Sequence, residues 1–247
     1  MRSFLVMLQF LTRFPLPFTV PCDDKTFQKG LGSFAIVGLL LGLALVGVGN
    51  ILVLFVYDHW AVAILLTLFH LVATGGLHMD GVADSADGLL SNRSPERMLE
   101  IMKDSRIGSN GVLAIVMVLA LKTVGIKLAL DYGIWWVLLA MPVAGRFAVV
   151  FAAWKGKTPR EQGMGNLFIG KATLPIVALN AVVLLALTPF LGYAPFAVVL
   201  ALSFTLWLIN RVTKLIGGIT GDVLGTIIEL NEVVFLLGFL VWARYLG

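Results

Sequence analysis

From His78 to Gly88 the chain reads His-Met-Asp-Gly-Val-Ala-Asp-Ser-Ala-Asp-Gly, with carboxylates at Asp80, Asp84 and Asp87. Helical positions i, i+4 and i+7 fall within about 60° of one another, so the three form one acidic stripe. Like charges at this spacing repel by roughly 0.2–0.5 kcal/mol per pair. The repulsion grows near a membrane, where the dielectric falls. Such a stripe calls for a cation.

Gly75, Gly76, Gly81, Ala83, Ser85, Ala86 and Gly88 flank the carboxylates, and small residues let a second helix or a phosphate approach the backbone. A second helix is expected over Pro95–Arg106, with Ser94 as N-cap and Pro95 at its first position. It carries Glu100 and Asp104 one turn apart, and a turn through Ser91 and Asn92 lets the two acidic faces converge. All-oxygen ligation suits a hard cation, and Mg²⁺ commonly bridges carboxylates to substrate phosphates. Asp80, Asp84, Asp87, Glu100 and Asp104 are the expected ligands, and such an ion would neutralise a diphosphate and stabilise a leaving phosphate. The plainer alternative is a solvated acidic loop with capping aspartates.

The elements that position these residues are membrane spans. Apolar residues make up 59% of the chain and charged residues 13%, against about 25% charged in soluble domains. The apolar runs match a hydrocarbon core about 30 Å thick. Spans are expected at Leu31–Tyr57, Trp60–His78, Val112–Leu130, Ile134–Trp154, Leu174–Leu191 and Ala194–Ile209. A last one ends in Val233–Tyr245 and begins earlier, among the polar residues after Gly225. Phe4–Phe14, closed by Pro15 and Pro17, reads as an interfacial or re-entrant helix and not as a cleavable signal. The expectation is one all-α domain over residues 1–247, a polytopic bundle of six to seven transmembrane helices plus the N-terminal helix.

Charge sorts the loops. Arg2, Arg13, Lys25, Lys29, Arg93, Arg97, Lys103, Arg106, Lys155, Lys157, Arg160, Lys171, Arg211 and Lys214 fall in alternate connections, and the loops between them are very short. The positive-inside rule makes the charged loops cytoplasmic. Of the carboxylates, only Asp58 and Asp131 fall on the other side, so the working surface is expected at the cytoplasm. Lys122 and Lys127 are expected to snorkel toward the outer end. No basic stripe interleaved with aromatics points to nucleic acid. Cys22 alone makes no internal disulfide, and the three histidines lack zinc spacing.

Four ordered motifs resemble the cobalamin synthase family over the whole chain. They are Phe10-Leu11-Thr12-Arg13-Phe14-Pro15; Gly75 to Gly88 with Met102-Lys103-Asp104-Ser105-Arg106-Ile107-Gly108; Glu161 to Asn166 with Phe168-Ile169-Gly170-Lys171; and Gly217-Gly218-Ile219-Thr220-Gly221-Asp222 with Glu229 and Glu232. The acidic segment is also similar to the CDP-alcohol phosphotransferase pattern. Asp84, Asp87 and Gly88 take its first part and Glu100 and Asp104 its second, with Glu100 in place of an aspartate and Asp80 an additional carboxylate.

The resemblance implies an adenosylcobinamide-GDP ribazoletransferase of the bacterial inner membrane, acting at the cytoplasmic face. Its substrates are adenosylcobinamide-GDP and α-ribazole or its 5′-phosphate, its cofactor is Mg²⁺, and its products are the cobalamin (or its phosphate) and GMP. It is compatible with a homodimer and with association with other late enzymes of the pathway. Asp84 and Asp87 would then be catalytic metal ligands, and Asp104 either a ligand or the base that accepts the hydroxyl proton. Lys103 and Arg106 would contact the diphosphate, Arg106 in bidentate fashion. Arg13, Gly165, Asn166 and Lys171 are further substrate contacts. Asp222 and Glu229, seven apart on one helical face, bind a base edge or a second cation, or pair with Arg211 and Lys214. Arg146, inside a span, needs a partner or a function: it is a candidate substrate contact that pairs with a site carboxylate or meets a substrate phosphate. His78 could support the site from behind, while His59 and His70 read as structural. A transporter and a prenyltransferase-like enzyme are the competing readings.

Overall fold

The computed structural model describes residues 1–17, 20–160, 163–187 and 192–245. Among them every regular element is helical, the outcome lipid requires when each backbone N–H and C=O must pair within its own segment. The helices are α1 (Arg2–Leu11), α2 (Asp24–Lys29), α3 (Phe34–Phe55), α4 (His59–Thr74), α5 (Leu77–Leu89), α6 (Pro95–Ile101), α7 (Ser109–Asp131), α8 (Trp136–Lys155), α9 (Leu174–Leu185), α10 (Ala194–Ile216) and α11 (Gly221–Tyr245). Five are long and apolar enough to cross a membrane: α3 together with its α2 lead-in, α7, α8, α10 and α11. The bent pair α4–α5, taken as one, makes six. The chain is a polytopic membrane helical bundle. α9 is a shorter apolar helix, and the end of the expected Leu174–Leu191 span lies outside the described residues.

Three boundaries differ from expectation for local reasons. The Trp60–His78 span stops at Thr74, where Gly75 and Gly76 take left-handed φ of 64° and 68°, a conformation that costs glycine little. Their N–H groups donate to Val72 O and Leu71 O at 3.0 Å, closing α4 in the manner of a glycine C-cap. α5 then leaves at 92° and lies across the end of the bundle. α11 begins at Gly221, so its polar first turns belong to the helix. α1 spans Arg2–Leu11 and buries Val6, Met7, Leu8 and Leu11. At about 15 Å it is too short to cross.

α8 is the axis. Every residue from Val137 to Ala153 is buried, as befits a helix apolar on all sides. α3 lies against it through Gly38 and Gly42. A Cβ at Gly38 would come within 2.7 Å of the Pro142 carbonyl oxygen, and one at Gly42 would overlap the Leu139 carbonyl. Small residues four apart bring apolar helices into close van der Waals contact, which matters where lipid removes the hydrophobic drive between them. Leu54 and Phe55 on α3, Leu113 and Met117 on α7 and Val199 and Trp207 on α10 remain exposed and form lipid-facing surface.

α3, α7 and α11 begin, and α8 and α10 end, at the same end of the bundle, the end that carries α1, α5 and α6. Three loop bonds tie that end together: Arg13 N–H to Ala73 O (2.7 Å), Gly170 N–H to Ala153 O (2.7 Å) and Ile219 N–H to Lys157 O (2.8 Å). Gly42→Val is expected to destabilise the bundle by about 1–3 kcal/mol through overpacking. Gly47→Ala, where an added Cβ meets nothing within 4 Å, should leave thermal unfolding in detergent unchanged. Equal midpoints for the two variants would refute the close α3–α8 approach.

Candidate active site at the charged end of the bundle

α5 is seated by its small residues. A Cβ at Gly81 would stand 2.6 Å from the Asp222 carbonyl oxygen, and one at Gly225 would stand 3.2 Å from that of His78. α5 and α11 therefore touch backbone to backbone. The Thr226 hydroxyl sits between them, 3.0 Å from Gly81 O and 2.9 Å from Ser85 Oγ.

The acidic stripe forms as expected, but its members do different things. Asp87 accepts the N–H groups of Gly108 (2.7 Å) and Gly111 (2.9 Å), so it satisfies orphan donors at the start of α7, where the helix dipole favours an anion. Asp84, past the bend and outside the five unbroken spans, has its pKa pushed up to about 6, first by burial and then by the charges of Asp80, Asp222 and Asp87. Four carboxylates thus act on one spot. Arg160 opposes them, with Nη1 3.9 Å from Asp222 Oδ2.

The second acidic face does not join the first. α6 ends at Ile101 rather than Arg106, leaving Asp104 and Arg106 in a turn. Glu100 accepts a 2.7 Å bond from Arg97 on the exposed side of α6. Asp104 takes a bidentate fork from Arg106, Nε to Oδ1 at 3.0 Å and Nη2 to Oδ2 at 2.7 Å, plus the Arg106 backbone N–H at 3.0 Å. The fork holds the Asp104 carboxyl down at about 2. Lys103 is exposed nearby. Both carboxylates have found arginines on their own short segment, which cancels the repulsion expected to drive them toward a shared ion. Among the described residues no three His, Cys, Asp or Glu side chains are placed to hold a metal ion by themselves.

The donor set still suits a hard cation that arrives with its phosphate. Asp80 and Asp84 offer carboxylate oxygens beside Asp222, and the pKa of Asp84 is raised by burial and then by these neighbouring charges. Mg²⁺ usually takes one or two carboxylates and completes its shell with water and substrate oxygens.

Asp80 and Asp222 also line a cavity of about 190 Å³ whose wall is otherwise mainly apolar, including Phe34, Val149, Ala153, Phe168 and Leu224. Gly165 lines it too and packs on Gly221, where an added Cβ would meet the Gly221 nitrogen at 2.7 Å. The expected substrate loop therefore roofs this cavity. Asn166 donates to Arg160 O at 3.1 Å, and Lys171 is exposed. Glu161 and Gln162 of that motif lie outside the described residues. Arg13 passes over Gly75 at the bend, where a Cβ would collide with its side chain.

Deeper in the bundle the structure corrects two expectations. Lys122 does not snorkel: it is 2% exposed and forms ion pairs with Glu229 and Glu232. Neither Asp222 nor Glu229 pairs with Arg211 or Lys214: Asp222 faces Arg160 and Glu229 faces Lys122. Glu229 is buried between Lys122 and His78, whose Nδ1 is 3.8 Å from Glu229 Oε1. The partner that Arg146 required is Glu232, and His70 stands 3.8 Å from Glu232. At ~1.5 Å per residue these groups sit roughly 12–20 Å from the charged helix ends, where an ion without a partner is costly. Two cations and two carboxylates close the account there. The partners lie 86 to 110 residues apart in the sequence.

Comparison with known proteins decides the family. A family model described as cobalamin-5-phosphate synthase matches residues 3–240. The chain belongs to the cobalamin-5-phosphate synthase family. Curated family members resemble it over nearly their full length and are named adenosylcobinamide-GDP ribazoletransferase. The protein of Alkaliphilus metalliredigens is 40% identical over 242 residues (98% of this chain, 96% of the relative). That of Clostridioides difficile is 37% identical over 249 residues (96% of each). That of Thermoanaerobacter pseudethanolicus is 35% identical over 245 residues (96% of each). No solved structure matches.

Within this family member, removing one partner of the buried network leaves charge unpaired, a loss of about 3–5 kcal/mol. Lys122→Met, which leaves Glu229 and Glu232 facing each other, is expected to lower unfolding stability in detergent by that amount. A change below about 1 kcal/mol, the scale of an exposed pair, would contradict the buried pairing.

Proposed function

We propose that this chain is an adenosylcobinamide-GDP ribazoletransferase that works at the cytoplasmic face of the cell inner membrane with Mg²⁺. The observation that carries this reading is full-length similarity to relatives bearing that name. The geometry supports it: a carboxylate cluster adjoins an apolar cavity at the end of the bundle that gathers the basic loops, and such loops face the cytoplasm.

In the reaction a ribose hydroxyl of α-ribazole, or of its 5′-phosphate, attacks the phosphorus next to the aminopropanol arm of adenosylcobinamide-GDP. A new P–O bond forms, the bridging P–O bond of the diphosphate breaks, GMP leaves, and the hydroxyl proton passes to a carboxylate. Such displacement depends on positioning and on neutralised charge more than on covalent help. Bound Mg²⁺ would supply that neutralisation, held by Asp80 and Asp84 with Asp222 beside them. Asp87 keeps α5 registered on α7 and thereby aims the stripe. Arg106, with Lys103 near it, meets the diphosphate as a bidentate donor. A phosphate that draws Arg106 away frees Asp104 to accept the hydroxyl proton, so in this arrangement Asp104 is the base rather than a ligand. Glu100, bound to Arg97, takes no part in this state.

A transporter is favoured less, because the intramembrane charges are closed on one another and the uncompensated ones lie at the bundle end.

Purified protein is expected to release GMP from adenosylcobinamide-GDP only when α-ribazole or its phosphate and Mg²⁺ are present, and to stop on chelation. Asp84→Ala should lose at least about 10³-fold in turnover, the scale of a removed electrostatic stabiliser. Asp104→Asn should lose about 10²–10⁴-fold, the range of a removed general base. Full activity in Asp84→Ala protein, or GMP release without the nucleoside, would sink the proposal.

A further inference from the structure

The cavity beside the acidic stripe has a composition that the displacement at phosphorus does not explain. Phe10, Phe34 and Phe168 line one part of it, with ring centroids 5.7 Å apart for Phe10–Phe168 and 5.6 Å for Phe34–Phe168. Among the described residues no lysine or arginine lines it, so it is no seat for a phosphate. At about 190 Å³ it is smaller than the roughly 300–1,000 Å³ of pockets that hold drug-sized ligands. A corrin macrocycle does not enter, whereas one planar ring system does.

His78 also lines the cavity, but its ring nitrogens are buried away from it, with Nδ1 3.8 Å from Glu229 Oε1. The cavity's selectivity therefore rests on its rings, which favour an aromatic face. Guanine presents donors and acceptors on several edges; Asp80 and Asp222 in the lining can take its donors, but its acceptors would face phenylalanine and valine, and leaving them unpaired is costly. A methylated benzimidazole has one free ring nitrogen on an otherwise apolar bicycle. Aromatic rings pack edge-to-face or offset at the spacing seen here.

We propose that this cavity seats the heteroaromatic base of the nucleoside acceptor, with the three phenylalanines around its ring. This rests on the transferase reading and extends it to the acceptor. The sugar then emerges between Asp80 and Asp222, next to Asp84, so the attacking hydroxyl is delivered to the carboxylates that hold the diphosphate's cation. Ala153, buried in the cavity wall, controls the space available to the base.

The test is equilibrium binding of α-ribazole to the full chain in nanodiscs, followed by the fluorescence of its benzimidazole, with no corrinoid present. Wild-type protein is expected to bind saturably, and excess GMP should not displace the nucleoside. Ala153→Leu, which fills the seat, should weaken binding at least tenfold. Phe168→Leu, which leaves room but removes a ring, should weaken it several-fold and covers a failure of the first variant to fold. In turnover, both should raise KM for α-ribazole and leave KM for adenosylcobinamide-GDP unchanged. Wild-type affinity in folded Ala153→Leu protein, displacement by GMP, or turnover without saturable nucleoside binding would each overturn the seat. Nucleoside binding as described without any GMP release would instead leave the seat standing and remove the transferase reading.

Discussion

Everything functional in this molecule depends on a break in one helix. Gly75 and Gly76, both left-handed, stop α4 and send α5 off at 92°. Had the helix continued straight, Asp80, Asp84 and Asp87 would have run on along the span axis. Turned, they lie across the bundle end, where water and charged substrates reach them. The break stays satisfied because each freed glycine N–H finds a carbonyl in the last turn of α4, and because glycine leaves a gap through which Arg13 passes.

The buried ions keep that arrangement in register. α11 carries Glu229 and Glu232, each locked to Lys122 of α7, and Glu232 also to Arg146 of α8. Ionic geometry of this kind fixes the rotation of α11 about its axis, a specificity role attested for some buried polar groups. The same rotation aims Thr226 at Ser85 and Asp222 at the α5 stripe, one and two turns earlier on the helix. A network deep in the bundle thus sets the geometry of a site at its surface, through one rigid helix shared by both.

Much of this was legible in the residues. The acidic stripe followed from a spacing of four and then three, and the spans from apolar runs. The N-cap at Ser94 was readable too, and Ser94 accepts from Arg97 N–H as a cap should. What escaped depended on distance or on competition. The Gly75-Gly76 pair was read as room for a neighbour, because a doubled left-handed turn looks like any small-residue pair until its dihedrals are known. Asp87 gave no sign of capping a helix that starts 22 residues later. Lys122 looked like a snorkelling lysine because its carboxylates are more than a hundred residues away. One signal was available: a lysine, an arginine and two glutamates inside apolar runs sum to zero and invite pairing. α6 packs on α5 around Gly88 as expected, but Glu100 and Asp104 pair with the nearer Arg97 and Arg106.

The α5 face, and neither Glu100 and Asp104 nor the buried network, is the seat proposed for the metal ion. The most direct measurement locates Mn²⁺ by anomalous diffraction in crystals of the full chain with adenosylcobinamide-GDP. An ion bound to Asp80 and Asp84 is expected, at roughly 2.0–2.2 Å as for a small hard cation, with diphosphate oxygens completing its shell. An ion held by Glu100 and Asp104 alone, or by Glu229 and Glu232, would contradict it.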